Sequence, residues 1–242
     1  MTANQTDMME FEYAPEDPLA VYQTPVVMVG GGDVDRERLN ILGRKYPIIA
    51  VDSGANAIHD AGLEADLLVG DFDSARPSGR DHIRRQIRIR EQYSTDFEKA
   101  LKIVNAPKIF AFGFLGKRFD HGLGALHALA ANIISHGDQR DIILLDSHDV
   151  VVMRQHHFQK TLPQGMRLSL WSMLPQRFTK TKGLVWPMDG LEVGTGFNLA
   201  ICNQVIIPPE ETAGDINVEA HVDNDAPFAV LMAPEAWTYF VD

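Results

Sequence analysis

Leu67-Leu68-Val69-Gly70-Asp71-Phe72-Asp73-Ser74 sets the architecture of this chain. Its three aliphatic residues read as the end of a buried strand, and Gly70 lets the backbone turn at the carboxyl edge. Two carboxylates follow at i and i+2. In an extended backbone Asp71 and Asp73 project to one side with Cα atoms about 6.5–7 Å apart. Phe72 then points the other way, into the fold. Like charges this close raise each other's pKa unless a cation or donors compensate. A magnesium ion carried on phosphates suits such a pair, because it takes one or two carboxylates and keeps the rest of its shell for water and phosphate oxygens. The structural alternative is a polar turn in which Asp71 and Ser74 satisfy backbone N–H groups.

The same grammar precedes this stretch. Val26-Val27-Met28-Val29 is a continuous apolar run of the buried parallel-strand type, closed by Gly30-Gly31-Gly32-Asp33. Residues 35–45 have a helical pattern. Pro47-Ile48-Ile49-Ala50-Val51 is the next strand, ending in Asp52-Ser53-Gly54-Ala55-Asn56, and residues 57–62 form a helix stopped by Gly62. Strands alternating with short helices specify a parallel α/β sheet, whose ligands sit beyond the carboxyl ends of the strands. Asp33, Asp52, Asp71 and Asp73 gather on that rim, an arrangement that is costly without a metal. Residues 1–24, polar and acidic with scattered Phe11, Tyr13, Leu19 and Tyr22, read as a tail partly docked by its aromatics.

Downstream, residues 80–90 are the one strongly basic run, read as an exposed helix or strand with inward isoleucines or as a surface that draws in polyphosphate. Thr95 and Glu98 have capping-box spacing, so Thr95 caps a helix running to about residue 104 and Asp96 sits in its first turn. Ser94, Thr95 and the free N–H groups of that turn also offer a phosphate contact. Lys108-Ile109-Phe110-Ala111-Phe112 is another buried strand, leading through Gly113 and Gly116 to Lys117-Arg118-Phe119-Asp120-His121 before a helix over 123–135. This loop is neither a P-loop nor a dinucleotide fingerprint. Its chemical content is Arg118, able to fork onto phosphate oxygens, with Asp120 either orienting it or capping the helix. His121 and His127, six apart, do not share a helix face, and His127 reads as a packing histidine.

The pattern changes after Ile142-Ile143-Leu144-Leu145-Asp146. Residues 150–153, 166–173, 183–188, 196–207, 216–222 and 228–232 are short apolar or alternating runs separated by turn residues, a β-sandwich signature. The expected organisation is therefore a tail (1–24), an α/β domain (25–148) and an all-β sandwich domain (149–242). His156 and His157 point to opposite faces of a strand, and Cys202 reads as a buried, inert thiol.

Composition narrows the classes. The 242 residues suffice for a large core, and a net charge of −11 excludes a sequence-independent nucleic-acid binder. One cysteine excludes an internal disulfide and fits a reducing compartment. No apolar run approaches the roughly 18 residues of a membrane span, and no secretory leader pattern opens the chain, so a cytoplasmic location is expected.

Taken together, the turns resemble those of the thiamine pyrophosphokinase (thiamine diphosphokinase) family. Asp52-Ser53-Gly54-Ala55-Asn56 is similar to its D-G-G-A-N turn, Gly70-Asp71-Phe72-Asp73-Ser74 to its G-D-x-D-S, and Ser94-Thr95-Asp96-Phe97-Glu98-Lys99-Ala100 to its T-D-x-x-K-A-L segment. Residues 113–121 resemble its G-x-x-G-x-R-x-D-H loop, residues 181–188 its T-x-G-L-x-W/Y-P segment, and Cys202-Asn203 falls where the family usually has Ser-Asn. Ser53 replaces a family glycine, and Cys202 and Gln204 depart from the vitamin-binding region, so the nucleotide and metal half is matched better than the thiamine half.

The resemblance implies an α/β domain followed by a β-sandwich, paired as a homodimer with the thiamine site between subunits. It implies transfer of pyrophosphate from ATP to the hydroxyl of thiamine, with release of AMP. Asp71, Asp73 and Asp96 would bind Mg2+, with Asp52 beside them as a further ligand or an orienting acid, and Arg118 would steady phosphate charge. One of the carboxylates would take the hydroxyl proton. Asn56, Ser74, Ser94, Thr95, Lys99, Gly116, Asp120, His121 and Asn203 complete the implied binding set. Trp186 is either the ring that stacks on the cationic vitamin or a core tryptophan of the sandwich. Two other readings stand beside this one: a pyrophosphokinase acting on another alcohol such as a hydroxymethylpterin, and a non-catalytic nucleotide-binding protein.

Overall fold

The apolar runs of the first 150 residues pack as a sheet buried on both faces. The computed structural model describes residues 6–137, 140–208 and 214–241. Its strands and helices run β1 (Asp7–Phe11), β2 (Ala20–Val21), β3 (Val26–Val29), α1 (Arg36–Gly43), β4 (Ile48–Val51), α2 (Gly54–Asp60), β5 (Leu67–Gly70), α3 (Pro77–Arg80), β6 (Arg85–Ile89), α4 (Asp96–Ile103), β7 (Val104–Asn105), β8 (Lys108–Phe112), α5 (Phe119–His136) and β9 (Asp141–Leu145). The chain divides into two compact units. The first comprises residues up to 128 together with the segment ending at 147. The second takes the end of α5 and everything after 147.

In the first unit the strands lie in the order β1-β6-β5-β4-β3-β8-β9, and every neighbouring pair is parallel. All four residues of β3 and all four of β5 are buried, which is why these strands read as unbroken apolar runs rather than alternating ones. Burial of one such aliphatic side chain is worth about 1.5–3 kcal/mol, so the central strands fix their register firmly. The rim beyond their carboxyl ends inherits that rigidity.

The stretch read as a tail contains two strands instead. β1 adds to the sheet edge beside β6, and β2 pairs in parallel with β7. Their mixed polarity follows from their place: β1 lies at the outer end of the sheet order and alternates between exposed and half-buried residues.

The second unit continues with β10 (Val150–Arg154), β11 (His157–Leu162), β12 (Arg167–Ser172), β13 (Gln176–Lys182), β14 (Glu192–Val193), β15 (Ala200–Gln204), β16 (Ile216–Val222) and β17 (Phe228–Met232). They form two antiparallel arrays, β10-β17-β12-β15 and β11-β16-β13-β14. Phe178 of β13 and Phe228 of β17 meet edge to face at 5.4 Å between them. The α/β-then-sandwich reading holds, with local changes. Residues 183–188 make an isolated bridge, Leu184 to Val205, rather than a strand. β11 and β13 escaped the sequence reading because their exposed faces are strongly polar. Cys202 is exposed, at a φ of 62° beside the irregular β12–β15 register, which corrects its reading as a buried thiol.

Two glycine turns lock together at the ends of β3 and β8. Gly32 N–H donates to the Gly113 carbonyl at 2.8 Å, and Gly113 holds a φ of 73° with space for a Cβ only 2.5 Å from the Gly30 oxygen. Both a left-handed conformation and a close backbone approach demand glycine there. Gly113→Ala is expected to destabilise the fold by about 1–3 kcal/mol, read as a lower midpoint in urea unfolding.

Candidate active site

Asp52, Asp71 and Asp73 each sit just past the carboxyl end of a central strand. Asp52 follows β4 and adopts a φ of 44°; Gly70 ends β5 at a φ of 152°, and Phe72 adopts a φ of 68°. Non-glycine residues seldom hold such angles, and where they do the surroundings force them. The turn after β5 is therefore not the extended segment expected. Phe72 is buried as predicted, but the left-handed kink, rather than strand alternation, puts Asp71 and Asp73 on one side.

The result is a cluster: Asp52, Asp71 and Asp73 each present a carboxylate oxygen, all within 4.8 Å of one another. Asp52 is buried and its Oδ1 has no hydrogen-bond partner among the described residues. An orphaned, buried carboxylate oxygen facing two other acids is a poor structural device and a good ligand for a hard divalent cation. The donor set fits magnesium.

The neighbours divide the acids electrostatically. Burial pushes the Asp52 carboxyl up; the Ser53 N–H opposes this less strongly, and the charges of Asp96, Asp73 and Asp71 add to the rise. Burial likewise raises Asp96, against the charge and hydrogen bond of Lys99. Asp71 goes the other way. Burial is its largest single influence and acts upward, but the Gln92 amide, the Asp73 N–H and the positive Lys99 and Arg88 together carry it below the usual carboxylate range.

Asp96 stands apart from the tight cluster. It opens α4 behind the expected capping box, in which Thr95 Oγ1 accepts from Glu98 N–H and the Glu98 carboxylate accepts from Thr95 N–H. Its Oδ1 takes the Lys99 Nζ at 3.1 Å. Lys99 is 2% exposed, so it is a buried counter-ion to the rim rather than a side chain on the surface. Ser94 Oγ donates to the buried Glu91 carboxylate, which also accepts the N–H groups of Tyr93 and Ser94. The hydroxyls of Ser94 and Thr95 are thus engaged within their own turn.

Asn56 braces the acid turn from α2, donating to the Ser74 carbonyl and accepting from Arg76 N–H at 2.9 Å. Ser74 Oγ donates to Asp73 at 2.6 Å. In the glycine loop Arg118 forks onto Asp120 through Nε at 3.1 Å and Nη2 at 2.6 Å, and both side chains are exposed. Asp120 also accepts from the His121 N–H, so it orients Arg118 from within the first turn of α5, which begins earlier than expected, at Phe119. Gly116 holds a φ of 74° beside Asp33, whose carboxylate lies 3.7 Å from Lys117 Nζ rather than in the acid cluster. His121 is exposed, and so is His127, 3.9 Å from Glu98, against its reading as a packing residue.

In the second unit Trp186 is 58% exposed, which removes the core-tryptophan alternative. The buried Asn203 holds its backbone from both sides, accepting from Trp186 N–H at 3.2 Å and donating to the Trp186 carbonyl at 2.8 Å. Asn203 is thus a positioning residue for the tryptophan turn.

Three residues near the rim were not singled out from sequence. Gln92 Nε2 donates to Asp71 Oδ2 at 2.9 Å, Arg88 Nε donates to the Asp71 carbonyl at 2.9 Å, and Glu91 organises the turn before Asp96. Arg88 and Arg90 alternate with Ile87 and Ile89, a signal that one arginine face was being set aside.

The fold and rim define an α/β protein with its polar crevice at the strand ends, linked to an antiparallel sandwich. Residues 40–142 match the family model described as thiamin pyrophosphokinase, catalytic domain. Thiamine pyrophosphokinase 3 of Oryza sativa subsp. japonica is 26% identical, over 71% of this chain and 75% of that protein; thiamine pyrophosphokinase 1 of the same plant is 27% identical, over 74% and 75%. Among solved structures, thiamin pyrophosphokinase from Candida albicans superposes with a TM-score of 0.74 at 14% identity, covering 95% of this chain and 96% of that one. The yeast thiamin pyrophosphokinase gives 0.71 at 15% identity, covering 99% and 95%. Over residues 40–142 the chain is thus similar to the catalytic domain of thiamin pyrophosphokinases, and its fold is the one those solved structures share.

Because Asp52 and Asp96 are raised in the folded chain, the folded state keeps their protons to higher pH than the unfolded chain does. Metal-free stability contributed by these groups is present in acid and is lost as pH rises through their raised values. Asp52→Asn should therefore raise the melting temperature in chelator at pH 7 by about 2–4 °C, the equivalent of about 1 kcal/mol. Scanning calorimetry should show that gain shrinking toward pH 4.

Proposed function

We propose that the protein is a thiamine pyrophosphokinase, moving the terminal pyrophosphoryl group of ATP onto the hydroxyethyl oxygen of thiamine to give thiamine diphosphate and AMP. The observation that carries this reading is the Asp52–Asp71–Asp73 cluster at the strand ends, with its buried and unpartnered Asp52 oxygen. Asp52, Asp71 and Asp73 would hold magnesium, and Asp96, aimed by Lys99, completes the acidic rim. When bound, the ion neutralises and orients phosphate oxygens, which is most of what transfer of this kind requires. Arg118 exchanges part of its fork on Asp120 for phosphate oxygens.

Trp186 receives the flat, cationic vitamin by stacking and cation–π attraction, its turn held by Asn203. Large apolar side chains left exposed in the second unit, among them Trp186, Phe197, Leu199 and Ile201, support assembly as a homodimer that shares the thiamine site between subunits. No described helix is long and apolar enough to cross a membrane, and a lone exposed cysteine suits a reducing cytoplasm.

Incubation with ATP, magnesium and thiamine is expected to yield thiamine diphosphate and AMP in equal amounts. ADP in place of AMP, or AMP only with another alcohol, would reject the assignment. Asp71→Asn should lower kcat by about a hundredfold or more in a folded protein. Trp186→Ala should raise the thiamine KM about tenfold and leave the KM for ATP unchanged.

A further inference from the structure

We propose that the N-terminal strand β1 is a positioning element for the acidic rim, acting through Glu10 on the backbone of Asp71. The inference rests on the reading of that rim as a divalent-cation site. The sheet order places β6 between β1 and β5, and the registers align Glu10 with Arg88 and Arg88 with Gly70. A single row across three strands thus leads from Glu10 to the residue before Asp71.

Side chains complete that row. Glu10 Oε1 accepts from Arg90 Nε at 2.7 Å and from Arg88 Nη1 at 3.4 Å. Arg88 Nε, at the other end of the guanidinium, donates to the Asp71 carbonyl at 2.9 Å. The Arg90 carbonyl accepts from Gln92 Nε2 at 3.2 Å, and the same amide donates to Asp71 Oδ2. Backbone bonds extend the zipper, with Arg90 N–H donating to the Phe11 carbonyl and Glu91 N–H to that of Glu12. Glu10 therefore reaches Asp71 twice, through Arg88 to its carbonyl and through Arg90 and Gln92 to its carboxylate.

The physical need is plain. Phe72 holds a positive φ, so the Asp71 carbonyl does not point where an extended strand would pair it, and a guanidinium takes it up. Without β1, β6 becomes the sheet edge and Arg88 and Arg90 lose the carboxylate that pins them over it. β1 lies outside residues 40–142, the segment that matches the catalytic-domain model, so the brace comes from a part of the chain which that match does not include.

The test compares the full chain with Glu10→Gln, Arg88→Lys and the double variant. Mn2+ is titrated without nucleotide by electron paramagnetic resonance, and Mg2+ is titrated in the ATP–thiamine assay. Arg88→Lys, which keeps charge but loses the fork, should weaken Mn2+ binding about tenfold. Glu10→Gln should weaken it about threefold, as expected of a partly exposed ion pair. The double variant should be no weaker than Arg88→Lys alone, and the thiamine KM should stay at the wild-type value throughout. Unfolding midpoints separate this effect from general destabilisation; if Glu10→Gln melts early, Glu10→Asp, which keeps the charge and shortens the reach, replaces it. Equal Mn2+ affinity in all variants overturns the positioning role and leaves the rim reading standing. A wild-type chain that binds no Mn2+ overturns both.

Discussion

Repulsion among carboxylates that the sheet will not let separate governs the α/β half of this protein. Strands β4 and β5 are buried on both faces and locked in parallel register, so Asp52 and the Asp71–Asp73 turn emerge a strand spacing apart with little freedom to move away. Left-handed residues at Asp52 and Phe72 turn the side chains toward one point rather than outward. The fold tolerates this by dividing the load. Asp71 is supplied with donors and held ionised, whereas Asp52 is left buried with an oxygen unsatisfied. A site built this way is less stable than the same fold with neutral side chains, and a bound cation relieves it.

Two cations of the α/β unit are used in opposite ways. Lys99 is sealed beneath the rim and fixed on Asp96, so it shapes the field without being able to follow a moving phosphate. Arg118 stands in solvent on a glycine-flanked loop, held by the equally exposed Asp120. Stacking of Phe114 on Phe97 at 4.0 Å anchors the base of that loop to α4, so the arginine moves on a fixed pivot. The sandwich repeats the logic with neutral groups, where Asn203 fixes a tryptophan turn by two hydrogen bonds and leaves the ring bare.

Much of this was legible before any coordinates. Unbroken apolar runs ending in Gly and Asp gave away the parallel sheet, because strands buried on both faces have no polar period to hide behind. The Thr95–Glu98 box announced the start of α4 to the residue. What escaped was whatever depends on partners distant in sequence. β1 is too polar to read as a strand until β6 is beside it, and the acid cluster owes its shape to a positive φ at Phe72, a residue type that gives no hint of one. Lys99 looked like a ligand contact because nothing in its spacing reveals that α4 buries it. Cys202 looked buried because its aliphatic neighbours suggest a core strand, whereas Ile201 and Leu199 are themselves exposed.

The parallel pairing of β1 with β6 also dictates an order of events at the ribosome. The strand that residues 7–11 add to, 85–89, appears nearly eighty residues after them. Antiparallel hairpins close as they are synthesised, but this segment must wait in the open until the centre of the sheet has formed beside it. Fusion partners or tags placed ahead of this segment will therefore weigh on a strand that docks late, next to the acids rather than at an inert end of the molecule.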